Sequence, residues 1–112
     1  MTTVAQGQLV SGGPIEGTLA AADDLDQVLA LMRRSDLEEV ILLTATASAT
    51  SVVPLLAKVR GIVCRSGGMT SHLAIVSREF GLPCIVGAEI DEPGALEGRR
   101  VRLGADGTVS IS

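Results

Sequence analysis

The sequence predicts a single α/β domain over residues 1–112, with a partly parallel sheet and a C-terminal β-hairpin. Three observations carry this reading. Short, near-continuously apolar runs recur along the chain, stretches of helical period lie between them, and the tail changes to strict alternation around a glycine-bearing turn.

The opening, Gln8 to Thr18, contains Gly12, Gly13, Pro14 and Gly17 and reads as a short strand broken by turns. Residues 24–34 place Leu25, Val28, Leu29 and Met32 at i, i+3, i+4 and i+7, with acidic residues at the start and Arg33-Arg34 at the end, as the helix dipole favours. Val40-Ile41-Leu42-Leu43-Thr44 is apolar throughout, which suits a strand covered on both faces. Residues 51–59 return to helical period through Val52, Leu55, Leu56 and Val59, and Pro54 falls in the first turn, where a missing N–H costs little. Gly61-Ile62-Val63-Cys64 is the next buried strand. A third helix runs from about Ser71 to Phe80 and stops at Gly81, with Pro83 beyond it. Cys84-Ile85-Val86 follows as a strand. Arg100-Val101-Arg102-Leu103 and Thr108-Val109-Ser110-Ile111 then alternate around Gly104–Gly107, a hairpin with one wet face.

Composition narrows the function. Hydrophobic residues make up 46% and charged residues 20%, so the chain has enough apolar surface to offset its conformational entropy and is not a disordered tail. Phe80 is the only aromatic residue, which argues against nucleic-acid binding by base stacking. Nine basic against thirteen acidic residues give a net charge of −4, which argues against a coat on a polyanion. No apolar run is long enough to cross a bilayer, and the N-terminal residues lack a basic, then apolar leader. Cys64 and Cys84 stand twenty residues apart without CxxC spacing and read as reduced, buried thiols. The expectation is a cytoplasmic domain with no membrane or nucleic-acid partner.

The chain has one histidine, and its setting is the most informative feature. His72 follows a buried strand, Arg65, and a loop with Gly67 and Gly68; Thr70 or Ser71 then caps the helix that His72 enters. Amides in a first helical turn lack intrahelical partners and carry the positive end of the dipole, so the place favours an anion. Adjacent glycines let the backbone approach a phosphate closely, and Arg65 supplies a cation. The same dipole disfavours imidazolium, so His72 is expected to titrate below the roughly 6.5 of an unperturbed ring. A neutral imidazole can accept a phosphoryl group, whose oxygens the free amides and Gly67, Gly68, Thr70, Ser71 and Arg65 can hold. The physical alternative at this point is a histidine in a capping region with no chemistry.

Residues 67–87, from Gly67-Gly68-Met69-Thr70-Ser71-His72 to Ile85-Val86-Gly87, resemble without a gap the phosphohistidine signature of the mobile, swivelling domain of PEP-utilising enzymes. Gly12-Gly13-Pro14-Ile15-Glu16-Gly17, Leu96–Val101 and Asp106–Val109 resemble the family's other segments more loosely. The resemblance implies a β/β/α swivelling fold, with His72 as the residue that carries the phosphoryl group. It implies that Thr70 contacts that group and, in some relatives, is itself a regulatory phosphorylation site. It further implies partners: an ATP-grasp nucleotide-binding domain or subunit, and a PEP/pyruvate-type or other acceptor domain. Mg²⁺ and ATP or PEP would then be bound at the partner's site, with no cofactor bound by this domain. Leu73 stands where the family usually has Ala. No nucleotide- or PEP-binding segment accompanies the motif, so the chain is expected to be a free-standing subunit or an excised domain. It would be one component of a dikinase-type phosphotransferase that does not turn over alone.

The competing expectation is a regulatory or assembly module that keeps the fold without transferring phosphate; an intact Thr70-Ser71-His72 argues against it. Glu89, Asp91 and Glu92 read as a solvated loop, no cluster has metal-ligand spacing, and no GxxxxGK[ST] loop is present. Ser71 beside His72 lacks the GxSxG elbow of a hydrolase.

Overall fold

The computed structural model describes residues 2–11, 14–21, 25–44, 55, 58–65, 72–90 and 98–111, with backbone alone for residues 2, 11, 25, 72 and 73. Its strands are β1 (Thr2–Gln6), β2 (Gln8–Ser11), β3 (Ile15–Ala21), β4 (Val40–Thr44), β5 (Gly61–Cys64), β6 (Cys84–Val86), β7 (Arg100–Leu103) and β8 (Thr108–Ile111). Helices α1 (Leu25–Met32) and α2 (His72–Glu79) and a 3-10 turn at Leu37–Glu39 complete the described elements.

The eight strands form one sheet in the order β1-β8-β7-β3-β4-β5-β6-β2. Its centre is parallel, with Leu19 opposite Ile41, Leu42 opposite Ile62 and Val63 opposite Ile85. Antiparallel pairs flank it on both sides, β3 with β7 and β6 with β2. The α/β class, the partly parallel sheet and the hairpin of β7 and β8 agree with the sequence.

The opening differs from its sequence reading. In place of one interrupted strand over 8–18 there are two, β2 and β3, with β1 before them, and β3 starts the parallel core. β1 and β2 lie at opposite edges of the sheet yet are joined through Gly7 alone. The sheet must therefore roll until its edges approach one another, and register shifts at Thr3/Ala5 and Leu9/Ser11 put irregularities in both edge strands, where bulges increase bending and twist.

This rolling explains the core. Along β4, Val40 and Leu42 face one apolar cluster and Ile41 and Leu43 the other. The first cluster is covered by Val28 and Leu31 of α1, Leu55, Val59 and Ala74 of α2. The second contains Leu19, Val63, Ile85, Val101, Leu103 and Val109 and lies within the curve of the sheet, strand packed against strand. Every residue of β4, β5 and β6 is buried, the two-sided covering that their continuous hydrophobicity implies.

Two further readings change. On α1 the buried stripe is Val28 and Leu31, while Leu29 and Met32 are 45% and 48% exposed. The apolar residues of this short helix span more than one face, and the sheet takes the face that includes Leu31. The hairpin's wet face holds on β7, whose residues alternate exposed and buried, but not on β8. There Ser110 is buried because β1 pairs beside it, bringing Thr3 Oγ1 to 3.5 Å from Ser110 Oγ. Of the helix expected over 51–59, only Leu55, Lys58 and Val59 are described; the Leu55 carbonyl accepts from the N–H groups of Lys58 and Val59 at 2.9 and 3.0 Å.

Candidate phosphoryl-carrier site

The C-terminal ends of β3, β4, β5 and β6 lie along one edge of the sheet because these strands are parallel. Open α/β sheets place ligands at that edge, where the helices begin. There β5 ends at Cys64, and α2 has His72 as its first residue.

The base of this connection is fixed by backbone hydrogen bonds. The Arg65 N–H donates to the Thr44 carbonyl at 2.9 Å, and the Ala88 N–H donates to the Cys64 carbonyl at 3.0 Å. The ends of β4, β5 and β6 are thereby tied together, and the exposed Arg65 side chain leaves from that edge. Thr44, at the end of β4, was not singled out in the sequence; a threonine ending a buried strand carries no signal by itself.

α2 is held by small residues. Ala74 and Ser77, three apart on one face, are both fully buried, and the helix packs against β2 and β6. Its far end is closed by a Schellman motif. The Leu82 N–H donates to the Ser77 carbonyl at 2.9 Å, the Gly81 N–H to the Arg78 carbonyl at 3.1 Å, and Gly81 takes φ +66°. The Gly81 stop read from the sequence is therefore a defined cap. With its C-terminus pinned and its inner face in close contact, α2 has a fixed backbone position against β2 and β6.

Beneath the helix, Cys84 and Cys64 are buried thiols not joined in a disulfide. Burial pushes the Cys84 thiol up to about 11, the nearby Ser77 hydroxyl pulls weakly the other way, and Cys64 adds to the rise. Neither cysteine is placed as a nucleophile. Ser77 Oγ makes no hydrogen bond of good geometry among the described residues, although it lies near enough to the Cys84 sulfur to favour the thiolate slightly.

Gly67, Gly68, Thr70 and Ser71 and the His72 ring lie outside the described residues. Of the expected site, the structure places the His72 backbone at the start of α2 and Arg65 at the end of β5. Among the described residues no group of three or more His, Cys, Asp or Glu could hold a metal ion, and no helix is long and apolar enough to cross a membrane.

The sequence profile of the PEP-utilising enzyme, mobile domain, matches residues 37–107. Rifampicin phosphotransferase of Bacillus subtilis (strain 168) is 34% identical over 103 residues, covering 91% of this chain and 11% of that protein. Phosphoenolpyruvate synthase of Pyrococcus furiosus is 46% identical over 48 residues, 43% of this chain and 6% of that protein. The chain thus spans about a tenth or less of the length of these curated relatives. Among solved structures, the N-terminal domain of Enzyme 1 - Nitrogen superposes with TM-score 0.58 and 27% identity over 76% of this chain and 37% of that one. Thermococcus kodakaraensis aconitase X shares the fold, with TM-score 0.66 at 18% identity over 96% of this chain and 97% of that one.

Proposed function

The chain belongs to the family of PEP-utilising enzyme mobile domains, and on that premise we propose that it is a phosphohistidine carrier whose acceptor residue is His72. The observation that carries the reading is the position of His72 as the first residue of α2, at the edge where the parallel strands end.

The chemistry follows from that position. An unprotonated ring nitrogen of His72 attacks phosphorus in the donor. An N–P bond forms, the bond from phosphorus to the donor's leaving oxygen breaks with its electron pair going to that oxygen, and the ring sheds its remaining proton to solvent. In the second half-reaction the far ring nitrogen takes a proton back, and an acceptor hydroxyl oxygen attacks phosphorus and gives up its own proton. The N–P bond breaks with its electron pair returning to neutral imidazole. The first-turn amides of α2, Thr70, Ser71, the Gly67-Gly68 backbone and Arg65 would hold the phosphoryl oxygens between the two steps.

The donor would be ATP or PEP, bound with Mg²⁺ at an ATP-grasp or PEP-type partner. Transferring phosphate needs cationic stabilisation from that partner, so the carrier alone turns over nothing. Rifampicin phosphotransferase and phosphoenolpyruvate synthase are many times longer than this chain, which accords with a carrier serving sites outside itself.

The test is to incubate the chain with an ATP-grasp partner and ATP labelled in the phosphoryl groups, or with PEP and a PEP-type partner. The expected product is a label on this chain that is lost in acid, survives base, and is absent from His72→Ala. A label that resists acid and persists in His72→Ala would overturn the assignment.

A further inference from the structure

A second cationic feature lies at the opposite end of the sheet from His72. Arg60, Arg100 and Arg102 converge with Glu16 on an open groove of about 330 Å³, walled by Pro14 and Ile15. Arg60 precedes β5, its N–H bonded to the Val40 carbonyl at 2.8 Å, while Ile15 and Glu16 begin β3. The groove therefore borders the N-terminal ends of parallel strands whose C-terminal ends carry the carrier site. Arg100 and Arg102 share one face of β7, and Glu16 stands opposite Arg102 across the β3–β7 ladder.

The clustering goes against the chain's overall charge. Three of its nine basic residues meet in one groove, although the protein carries a net charge of −4. All three arginines are exposed, and among the described residues no carboxylate, Glu16 included, lies within ion-pair distance of any of them. Three like charges with one carboxylate among them leave a net repulsion, and a bound anion removes it. The planar guanidinium fork matches oxyanions in bidentate geometry, and three forks around one concavity suit a ligand with more than one anionic group. A space of this size accommodates such a small molecule.

We propose that the groove lined by Arg60, Arg100 and Arg102 binds a small multivalent oxyanion, independently of the phosphoryl-carrier end. Glu16, the one carboxylate among the described lining residues, weakens that binding and sets a threshold on the ligand's charge.

The intact chain, labelled with ¹⁵N, is titrated with sodium tripolyphosphate and, separately, with citrate at near-physiological salt. Saturable shifts are expected at the amides of Ile15, Glu16, Arg60, Arg100 and Arg102 at or below millimolar concentration. Affinity should fall about tenfold or more in Arg60→Gln and in Arg102→Gln, and rise severalfold in Glu16→Gln. Arg33→Gln, an exposed cation at the end of α1, should leave it unchanged. Absence of saturable shifts with both ions overturns the proposal. So does an Arg33→Gln effect as large as that of Arg60→Gln, which would mean diffuse attraction. Binding of an oligoglutamate peptide where neither small ion binds also overturns it, since the groove would then be a protein-docking surface.

Discussion

The Gly7 N–H donates to the Gly107 carbonyl at 2.9 Å, tying the single residue between the sheet's two edge strands to the turn of the β7–β8 hairpin. A Cβ on Gly7 would lie 2.5 Å from the Val86 carbonyl oxygen and 2.7 Å from Ile85 Cγ2. A Cβ on Gly107, which holds φ +85°, would run into the Gly7 carbonyl. The two backbones touch because neither residue carries a side chain, and the rolled sheet closes at that contact.

Gly7→Ala is therefore expected to cost about 2–4 kcal/mol, because the obstructing atoms include backbone that cannot rotate away. That corresponds to a fall in melting temperature of roughly 10 °C. Gly107→Asn should be nearly as damaging even though asparagine tolerates positive φ, since the contact with Gly7 remains. Gly81→Asn, with positive φ but nothing within 4 Å of its Cβ position, should melt close to the parent. Thermal denaturation followed by circular dichroism checks all three, and a Gly107→Asn melt equal to the parent's would contradict the closure.

The second prediction concerns the sulfur beneath α2. The folded Cys84 thiol lies near 11 against an ordinary 9.0, so the fold favours the protonated form. Its contribution to stability is complete below pH 9 and is lost as pH rises through about 11. Cys84 should resist iodoacetamide in the native protein at pH 8–10 and react readily in denaturant. Ser77→Ala removes a buried hydroxyl that has no well-formed hydrogen bond among the described residues and should be neutral or stabilising by up to about 1 kcal/mol. It should also move the thiol further up, since the hydroxyl pulls it down. A loss above about 2 kcal/mol would show that Ser77 makes a bond the helix depends on.

How much was legible follows from the range of each signal. Local patterns carried β4, β5, β6, the hairpin and the Gly81 stop, because two-sided burial, alternation and a left-handed cap each leave a mark within a few residues. Gly81 is the clearest of these: its place after Phe80 and before Pro83 already specified the Schellman end of the helix. β1 and the division of the opening were not legible, since Thr2–Gln6 gains its partner from β8, more than a hundred residues away. The exposed side of α1 was misjudged because Leu25, Val28, Leu29, Leu31 and Met32 offer two possible stripes, and only packing against the sheet chooses Leu31. At the site, a motif and a helix start located His72, whereas nothing in the chain order brings Arg60 to Arg100 and Arg102.

A third prediction follows from the hairpin turn. The Thr108 hydroxyl donates to Asp106 Oδ1 at 2.7 Å and the Thr108 N–H donates to the same oxygen at 3.3 Å, which holds the exposed carboxyl below its ordinary 3.8. The folded value is the lower one, so the ionised form supports the turn above about pH 4, and that support fades as pH falls through the folded value. Asp106→Ala should lower the melting temperature at pH 7 and make little difference near pH 2. A carboxyl titration at or above 3.8 would remove the basis for this pH dependence.

The fourth prediction separates chemistry from docking in the proposed carrier. Ile75 lies one helical turn beyond His72 on α2 and is 47% exposed, although the neighbouring Ala74 and Ser77 are fully buried. A carrier must bring its histidine into a partner's site, so an apolar residue one turn away would be covered in the docked state and bare in the free one. Ile75→Glu alters an exposed position and should change stability by no more than about 0.5 kcal/mol. It should nevertheless slow partner-dependent labelling of His72 by about tenfold or more, since docking would then require a carboxylate to leave water. Phe80→Glu supplies the comparison: this residue is 48% exposed but lies two turns along, at the far end of the helix, and should label at nearly the parental rate. Equal slowing by both substitutions would assign the effect to the charge of the domain as a whole, and no slowing by Ile75→Glu would place the docking surface away from α2.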